Sequence, residues 1–430
     1  MNEALVLALV FGVLLFAGVP IAYAIGLSAV AALSVSLGPE AAVTVVSQRL
    51  ATGLDSFALL AIPFFILSGQ LMNRGGIARR LIDLAKVIVG GLPGGLAFVN
   101  VLANMFFGAI SGSAVAAAAA IGGFMSPLLK KDGYNKEYGA AVNITSCVTG
   151  LLIPPSNVMI VYSLASGGVS IAALFIAGYV PGILLGLALM IVAGAIAQKR
   201  KYPVGQWVAF GEAAAIFFSA LPSLLLVILV MGGIILGWFT PTEASAIAVV
   251  YTFVLSVIVY REIKWSELPR LLTDSAATTA IVLLLVGTSM GMSWVMSSAN
   301  IPQTISATLL ELSSNPIVLL LIINLILLVV GTFMDMTPAV LIFTPIFLPV
   351  VKSFGMDPIH FGIVIILNLC MGLCTPPVGT ALFVGCGVAN TTIAKVWRPL
   401  IPFFAAMLIV LLLVTYVPAL SLYLPKLLGF

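Results

Sequence analysis

Two segments of the chain place paired prolines and small residues inside long apolar runs, Gly150–Ser156 and Gly372–Val378. A proline within a helix lacks a backbone donor and clashes with the carbonyl four residues earlier. We therefore expect Pro154 and Pro376 each to leave such a carbonyl bare. Bare carbonyls at membrane depth are tolerated mainly where they line a polar cavity or bind an ion. The two segments predict two broken helices, each with an ion site.

Hydroxyls and small residues elsewhere would complete such ion sites. Sodium prefers several hard oxygen ligands, and small residues let hydroxyls and backbone carbonyls converge on it. The predicted sodium ligands are Ser111, Ser113, Gly150, Ile153 and Pro155 in the first half of the chain, and Gly331, Gly372, Thr375 and Val378 in the second. One such motif alone would favour helix packing, but its occurrence in both halves favours ion sites.

A second group of polar residues is predicted to contact a substrate or to couple it to the ion. The half-helices that resume after the prolines point their positive ends at the midplane, which favours an anion. Asp335 is the one acid inside the second predicted hairpin, and its alternative role is to cap the following helix. The other candidates are Thr337, Asn143, Ser146, Ser156, Asn157, Asn368 and Thr380. Asn143 and Ser146 are equally suited to hydrogen bonds between helices.

The amino-acid composition indicates the class of protein in which these residues lie. Of 430 residues, 62% are hydrophobic and 7% are charged, which leaves too few polar side chains to cover a water-soluble protein. The net charge of +4 is spread over loops, which is typical of membrane topology and not of a nucleic-acid-binding surface. The four cysteines lie in apolar runs and are expected to be small buried residues. We predict an all-α polytopic membrane protein surrounded by lipid.

Landmarks recur at a nearly constant distance along the chain, which indicates an internal duplication. Pro127 and Pro349 are separated by 222 positions, and so are the two proline pairs. We predict two repeats, residues 1–205 and 206–430. Each repeat should contain scaffold helices, an amphipathic arm, a re-entrant hairpin and a broken helix.

The basic clusters predict how these repeats cross the membrane. The first repeat is predicted to have helices at 4–18, 20–37, 56–72 and 171–197, an arm at 75–90, a hairpin at 92–129 and a broken helix at 138–166. The second is predicted to have helices at 214–237, 241–260, 275–298 and 400–424, an arm at 262–274, a hairpin at 316–351 and a broken helix at 358–390. The basic clusters share the cytoplasmic side only if each hairpin returns to the side it enters. Five crossings per repeat then invert the second repeat and place both termini in the periplasm.

Four motifs together resemble the large membrane subunit of tripartite ATP-independent periplasmic (TRAP) transporters. The motifs are Leu60–Phe65, Gly108–Ala114, Phe239–Ala244 and Thr375–Gly379, and the resemblance covers essentially the whole chain. It implies a sodium-driven elevator of inverted repeats in the bacterial inner membrane, in which hairpins and broken helices slide against a scaffold. It also implies a small four-helix membrane subunit, expected to be a separate chain, and a periplasmic solute-binding protein. The implied substrate is an organic acid such as a C4-dicarboxylate, a keto acid or a sialic acid.

Other classes of protein fit the sequence less well. The nearest alternative is a stand-alone sodium- or proton-coupled carboxylate symporter of the same superfamily. A channel is disfavoured because the broken helices indicate an occluded site at the midplane. An enzyme is disfavoured because 14 acids and one histidine form no cluster for acid–base or metal chemistry. We expect no organic cofactor, and the phosphate-binding loop of ATPases is absent from the sequence.

Overall fold

A computed structural model describes residues 3–205, 207–376 and 379–430 of the chain. Within these ranges the named elements are all helical, and eight helical segments are long and apolar enough to cross a membrane. The chain is therefore a multi-pass membrane protein, and the predicted all-α class is confirmed.

The first half contains one helical hairpin and one broken helix. Its α-helices are α1 Glu3–Phe16, α2 Ile21–Leu37, α3 Pro39–Leu54, α4 Ala61–Arg74, α5 Ile77–Val89, α6 Gly95–Ser111, α7 Ala114–Lys131, α8 Lys136–Ser146, α9 Asn157–Ala165 and α10 Ile171–Lys199. Helices α6 and α7 form the hairpin, which turns at Gly112 in the left-handed region, with φ of 60°. Helix α8 continues as a 3-10 turn, Cys147–Leu151, and the chain becomes α-helical again only at α9. A pair of helices and an interrupted helix therefore lie where the hairpin and the break were predicted, and the re-entrant path of the hairpin stays a prediction.

The second half repeats this order. Its α-helices are α11 Phe210–Ile235, α12 Pro241–Phe253, α13 Leu268–Ser298, α14 Ile301–Leu312, α15 Pro316–Phe333, α16 Met336–Ser353, α17 Pro358–Leu373, α18 Thr380–Val388, α19 Ile393–Tyr416 and α20 Ala419–Leu427. Helices α15 and α16 form the second hairpin, and α17 and α18 are the two parts of the second broken helix. A π-helical turn, Val254–Val259, extends α12.

Two helices, α3 and α14, were not predicted from the sequence. Each follows a residue with positive φ, Gly38 at 79° and Asn300 at 53°, and each has a proline in its first turn. Adding the repeat distance of 222 to the bounds of α5 gives 299–311, which coincides with α14. The predicted arms 75–90 and 262–274 are therefore not counterparts. The second does not form a separate helix either, because residues 268–274 continue unbroken into α13.

The last predicted helix also differs from the structure. Residues 400–424 were expected to form one helix, but α19 begins at Ile393 and ends at Tyr416. Val417 precedes Pro418, and the residue before a proline is disfavoured in the α conformation. The chain therefore leaves the helix at Val417 and starts α20 after it.

The helices pack as two groups, which we call the scaffold and the hairpin group. In the scaffold, α13 packs against α2 and α3, and α4 and α11 pack against α12. In the hairpin group, α6 packs on the 3-10 turn that follows α8, and α15 packs on α17. The two repeats interlock there, since α7 packs against α18 and α16 packs against α9. The thiols of Cys370 and Cys374 donate to the carbonyls of Val148 and Ile144, so the two broken helices also contact each other directly.

Three basic segments lie at one end of the hairpin group. The rings of Tyr134 and Tyr202 stack at 4.2 Å, and Lys136 Nζ donates to the Asn390 carbonyl at 3.3 Å. These contacts join the segments that follow α7, α10 and α18. The basic residues in or beside those segments are Lys130, Lys131, Lys199, Arg200, Lys201 and Lys395. Their shared position agrees with the expectation that they lie on one side of the membrane, and their cytoplasmic location stays a prediction.

Candidate ion and substrate site

The first hairpin tip contacts the first helix break. Gly112 forms the turn, and the next residue, Ser113, caps α7 by accepting the Ala116 N–H at 3.3 Å. A Cβ atom on Gly112 would lie 3.5 Å from the Pro155 carbonyl oxygen. The tip therefore touches the proline pair that interrupts the broken helix, as the sequence predicted for this half of the chain.

Pairs of glycines let hairpin and broken helix approach closely in both repeats. A Cβ on Gly150 would lie 2.1 Å from the Cα of Gly108, and a Cβ on Gly372 would lie 2.5 Å from the carbonyl carbon of Gly331. Real Cβ atoms are not found at such distances, so backbone packs directly on backbone. Each broken helix is thus held against the first helix of its own hairpin.

A cavity of about 230 Å³ lies where both tips and both breaks face the scaffold. We call it the central cavity. Its hairpin-group lining includes Gly112, Ser113, Asn157, Asp335, Thr337 and Thr380. Its scaffold lining includes Ile62 and Ile66 of α4 with Thr278 and Val282 of α13. A second cavity of about 120 Å³ shares Ser113, Asn157 and Thr278 with it and adds Gln70 and Asn73 of α4.

Four helices begin at the central cavity. Ala114, Asn157, Met336 and Thr380 are the first residues of α7, α9, α16 and α18, and all four line it. A helix N-terminus carries roughly half a positive charge and unpaired N–H groups, which favour an anion. Asp335 is the one charged side chain among the described residues that line either cavity. The cavity therefore offers an anion backbone dipoles and hydroxyls without a lysine or arginine side chain.

The sequence matches a known family over nearly its full length. The profile of the family described as "Tripartite ATP-independent periplasmic transporter, DctM component" matches residues 8–420. The chain belongs to this TRAP transporter family. The family is one of transport permeases, which confirms the resemblance found in the four sequence motifs.

The chain is similar to one protein without an assigned activity and to two transporters named for their substrates. The chain is 58% identical to the uncharacterized protein YgiK of Salmonella typhimurium, covering 97% of this chain and 96% of that protein. It is 43% identical to the C4-dicarboxylate TRAP transporter large permease protein DctM of Pseudomonas aeruginosa, covering 87% and 88%. It is 41% identical to the isethionate TRAP transporter permease protein DctMQ of Oleidesulfovibrio alaskensis, covering 96% of this chain and 65% of that protein.

A solved structure has the same fold. The YdaH transporter of Alcanivorax borkumensis superimposes with a TM-score of 0.66 over 88% of both chains at 14% sequence identity. At that identity the likeness concerns the fold alone. It agrees with the predicted class of an all-α polytopic membrane protein.

In this TRAP permease, the predicted ligands of the first sodium site do not all converge. Ser111 and Ser156 are buried, and neither hydroxyl has a hydrogen-bond partner among the described residues. Both lie next to the contact between the tip and Pro155. The side chain of Ile153 packs against Gly182 of α10. The close contact of Gly150 is with Gly108, one helical turn before the tip.

The second predicted sodium site differs in its hydrogen bonding. The Gly372 carbonyl accepts the Thr375 N–H at 3.0 Å, so the prediction that this carbonyl is bare is wrong. A tighter turn replaces the bond that Pro376 removes. The Thr375 hydroxyl donates to the Met371 carbonyl at 2.7 Å, and the Thr375 carbonyl accepts an N–H from Gly379 at 3.1 Å. Val378, also predicted as a ligand, lies outside the described residues. Sodium binding at Gly331, Gly372 and Thr375 stays a prediction.

Asp335 occupies the N-cap position of α16 at the second hairpin tip. Thr380 Oγ1, at the start of α18, lies 3.4 Å from Asp335 Oδ1 and donates to it. The carboxylate is exposed toward the central cavity. The Asp335 side chain forms no capping hydrogen bond to α16, and its role as a functional acid stays a prediction.

Asn143, Ser146 and Asn368 lie away from the central cavity. Asn104 Nδ2 of α6 donates to Ser146 Oγ at 2.8 Å and lies 3.1 Å from Asn143 Oδ1. In the second half, Asn368 Nδ2 donates to Asn324 Oδ1 at 2.8 Å. Ser146 and Asn368 are 222 positions apart, so both repeats use the same position to bond a broken helix to the first helix of its hairpin.

The sequence analysis missed the scaffold side of the site. Gln70, Asn73 and Thr278 line the two cavities but were not predicted as site residues. Their signal is weak in a sequence, because it consists only of polar side chains within spans that are otherwise apolar. Only the packing of the scaffold against the tips shows which of them face the site.

Proposed function

We propose that this chain is the large membrane subunit of a sodium-driven TRAP transporter that imports a small organic acid. One observation carries the proposal, namely that four helices begin at one cavity between hairpin tips and scaffold. Converging N-termini bind a carboxylate or sulfonate through backbone N–H groups and dipoles. Transporters commonly build midplane anion sites from the ends of broken helices in this way.

The proposed substrate class is broader than any one acid. Relatives at 43% and 41% identity are named for a C4-dicarboxylate and for isethionate, which are a carboxylate and a sulfonate. Both are small organic anions. Since similar permeases carry such different names, we propose that a periplasmic solute-binding protein selects the acid. A small membrane subunit of four helices is the second proposed partner.

Sodium is proposed as the coupling ion because the first tip offers oxygen atoms that need a partner. Buried hydroxyls without hydrogen bonds are costly, at about 1–3 kcal/mol each. Ser111 and Ser156 present two of them beside the Pro155 carbonyl, and oxygen is the ligand type that sodium prefers. A bound cation would also offset the negative charge of Asp335 before an anionic substrate enters the same cavity.

An elevator movement is proposed for the hairpin group. The tips and the breaks are joined by glycine contacts, and α7 packs against α18 while α16 packs against α9. They would therefore move as one body. The central cavity lies at the boundary of that body with α4 and α13 of the scaffold. Sliding along this boundary would carry the bound acid and sodium across the membrane. We propose the inner membrane as its location, with both termini in the periplasm.

Uptake by reconstituted vesicles tests the proposal. Proteoliposomes with the large and small subunits should take up the acid only when its binding protein is outside and sodium is higher outside. Uptake without the binding protein would contradict the tripartite proposal and indicate a stand-alone symporter. Uptake that ignores the sodium gradient would contradict the coupling.

A matched pair of serine variants tests the site itself. Ser113→Leu should reduce sodium-dependent uptake about tenfold or more, because it removes the hydroxyl that caps α7 at the proposed site, and a donor left without its partner costs about 1–3 kcal/mol. Ser36→Leu, at an exposed position on α2, is the control and should keep normal uptake. Both variants should be inserted in the membrane in equal amounts. Normal sodium-dependent uptake by Ser113→Leu would refute the assignment of the first tip.

A further inference from the structure

The second helix break also lines a groove on the outside of the hairpin group. This groove has a volume of about 640 Å³ and shares no residue with the central cavity. Thr375 and Pro376 of the break contribute to its lining, together with the last turns of α15. Along α19 its wall is formed by Trp397, Ile401, Phe404, Ala405 and Leu408. Most of these side chains are large and apolar.

The two threonines of the groove are already hydrogen-bonded within their own segments. Thr332 Oγ1 donates to the Val329 carbonyl at 2.7 Å. Thr375 uses its hydroxyl, its N–H and its carbonyl in local bonds to Met371, Gly372 and Gly379. These groups therefore do not require a polar partner in the groove, and the surface they present is hydrocarbon. Such a surface suits an apolar chain better than an ion or a carboxylate.

The length of the groove matches one leaflet of a bilayer. From Trp397 to Leu408 a helix rises about 16 Å at ~1.5 Å per residue. The hydrocarbon core of a bilayer is about 30 Å thick, so one leaflet is about half of that. Trp397 stands at the end of the groove near the start of α19, and tryptophan is typical of the membrane interface.

A cationic side chain marks that same end. Arg398 is exposed and forms no ion pair with any described residue. It precedes Ala405 by seven residues, which is close to two helical turns, so both lie on the same face of α19. A guanidinium group pairs well with a phosphate, because its N–H donors match the phosphate oxygens. We propose that the groove binds one anionic phospholipid, with an acyl chain along α19 and the phosphate at Arg398.

Fluorescence quenching by brominated lipids tests this proposal directly. A full-length variant that keeps Trp397 and replaces the other four tryptophans by phenylalanine is reconstituted in phosphatidylcholine with increasing amounts of brominated lipid. Brominated phosphatidylglycerol should half-quench Trp397 at a mole fraction about fivefold lower than brominated phosphatidylcholine, the preference that one arginine provides near a membrane surface. Arg398→Gln should remove this preference. Arg270→Gln, at an exposed position on α13, should retain it.

Two further measurements test whether the lipid preference belongs to this groove. A variant that keeps only Trp238, which is 70% exposed and has no lysine or arginine within seven residues in the sequence, should show no preference between the lipids. Ala405→Phe, which narrows the groove, should weaken quenching of Trp397 by either lipid while the melting temperature stays unchanged. Equal quenching by both lipids would overturn the proposal. Loss of quenching when the small subunit is co-reconstituted would also overturn it, because a protein helix would then occupy the groove.

Discussion

The two hairpin tips share a backbone design and differ in chemistry. Ser113 and Asp335 are 222 positions apart, and each is the N-cap of the second helix of its hairpin. The first tip is neutral, and Ser111 within it is 4% exposed, with a hydroxyl that lacks a partner among the described residues. The second tip carries a carboxylate that faces the central cavity. The two tips thus share the N-cap position, but the first is an enclosed group of oxygen atoms and the second carries a charge.

The two helix breaks also differ, in whether their polar groups have hydrogen-bond partners. At the first break, Ser156 is fully buried and its hydroxyl has no described partner. At the second break, Thr375 is fully bonded and lines the outer groove. The two proposed sodium sites are therefore unequal, and the first has the oxygen atoms most in need of a cation. Symmetry in the sequence does not imply symmetry in function.

The largest expected effect comes from removing the charge at the second tip. Asp335→Asn keeps the shape of the side chain and an oxygen that can accept the Thr380 hydroxyl, but it loses the carboxylate charge. Hydrogen bonds and contacts to charged groups contribute about 1.5–3 kcal/mol, so sodium-dependent uptake should fall about 10- to 100-fold. Initial uptake rates measured over a range of sodium concentrations check this.

Two variants decide whether the position of the charge matters. Asp357→Asn is the matched control, since Asp357 also occupies an N-cap position, where it accepts the Ile359 N–H at 2.7 Å, but lies outside the cavities. It should leave uptake normal. The double variant Ser113→Asp with Asp335→Ser moves the charge to the first tip and should stay as inactive as Asp335→Asn. Recovery of uptake by the double variant would show that the two tips are functionally equivalent and that the position of the charge does not matter.

The tips and breaks were predictable because their signals are local. Paired prolines, a Gly112 turn and glycines at the helix contacts act through backbone sterics within a few residues. The orientation of Thr375 was not predictable, because it depends on the hydrogen bonds that the chain forms with Met371, Gly372 and Gly379 on either side of the break. The same holds for Thr278 and Gln70, which reach the site only through packing between repeats. Helices α3 and α14 had a local signal, a left-handed residue followed by proline, that the apolar pattern concealed.

A smaller effect is expected from the glycine contacts, and it should differ between the tips. Gly108 and Gly331 both lie on the first helix of their hairpin, and a Cβ on Gly108 would be 2.5 Å from the Gly150 Cα, whereas a Cβ on Gly331 would be 3.2 Å from the Gly372 Cα. Gly108→Ala should lower the free energy of unfolding by about 1–3 kcal/mol, because the overlap is too large for either backbone to relieve. Gly331→Ala should be nearly neutral, since alanine gains about 0.5–1 kcal/mol within a helix.

Thermal denaturation of the purified detergent-solubilised protein measures this difference. Gly12→Ala is a suitable control, because Gly12 is in α1 and a Cβ there would have no neighbour within 4 Å. It should not lower the melting temperature. If Gly108→Ala and Gly331→Ala destabilise equally, the two hairpins are packed with equal tightness, and the two tips would then differ in charge alone.

The smallest effect is expected where the scaffold helices opposite the two tips are joined. Arg74 at the end of α4 pairs with Asp274 of α13 at 2.6 Å, with side chains 37% and 42% exposed. Exposed ion pairs contribute only about 0–1 kcal/mol and weaken with salt. Arg74→Ala, Asp274→Ala and the double variant should therefore differ little in melting temperature, and uptake should stay within about twofold of normal. A tenfold loss in either single variant, restored by exchanging the two residues, would instead mean that this pair holds α4 and α13 in register. Both tips would then depend on one shared scaffold contact.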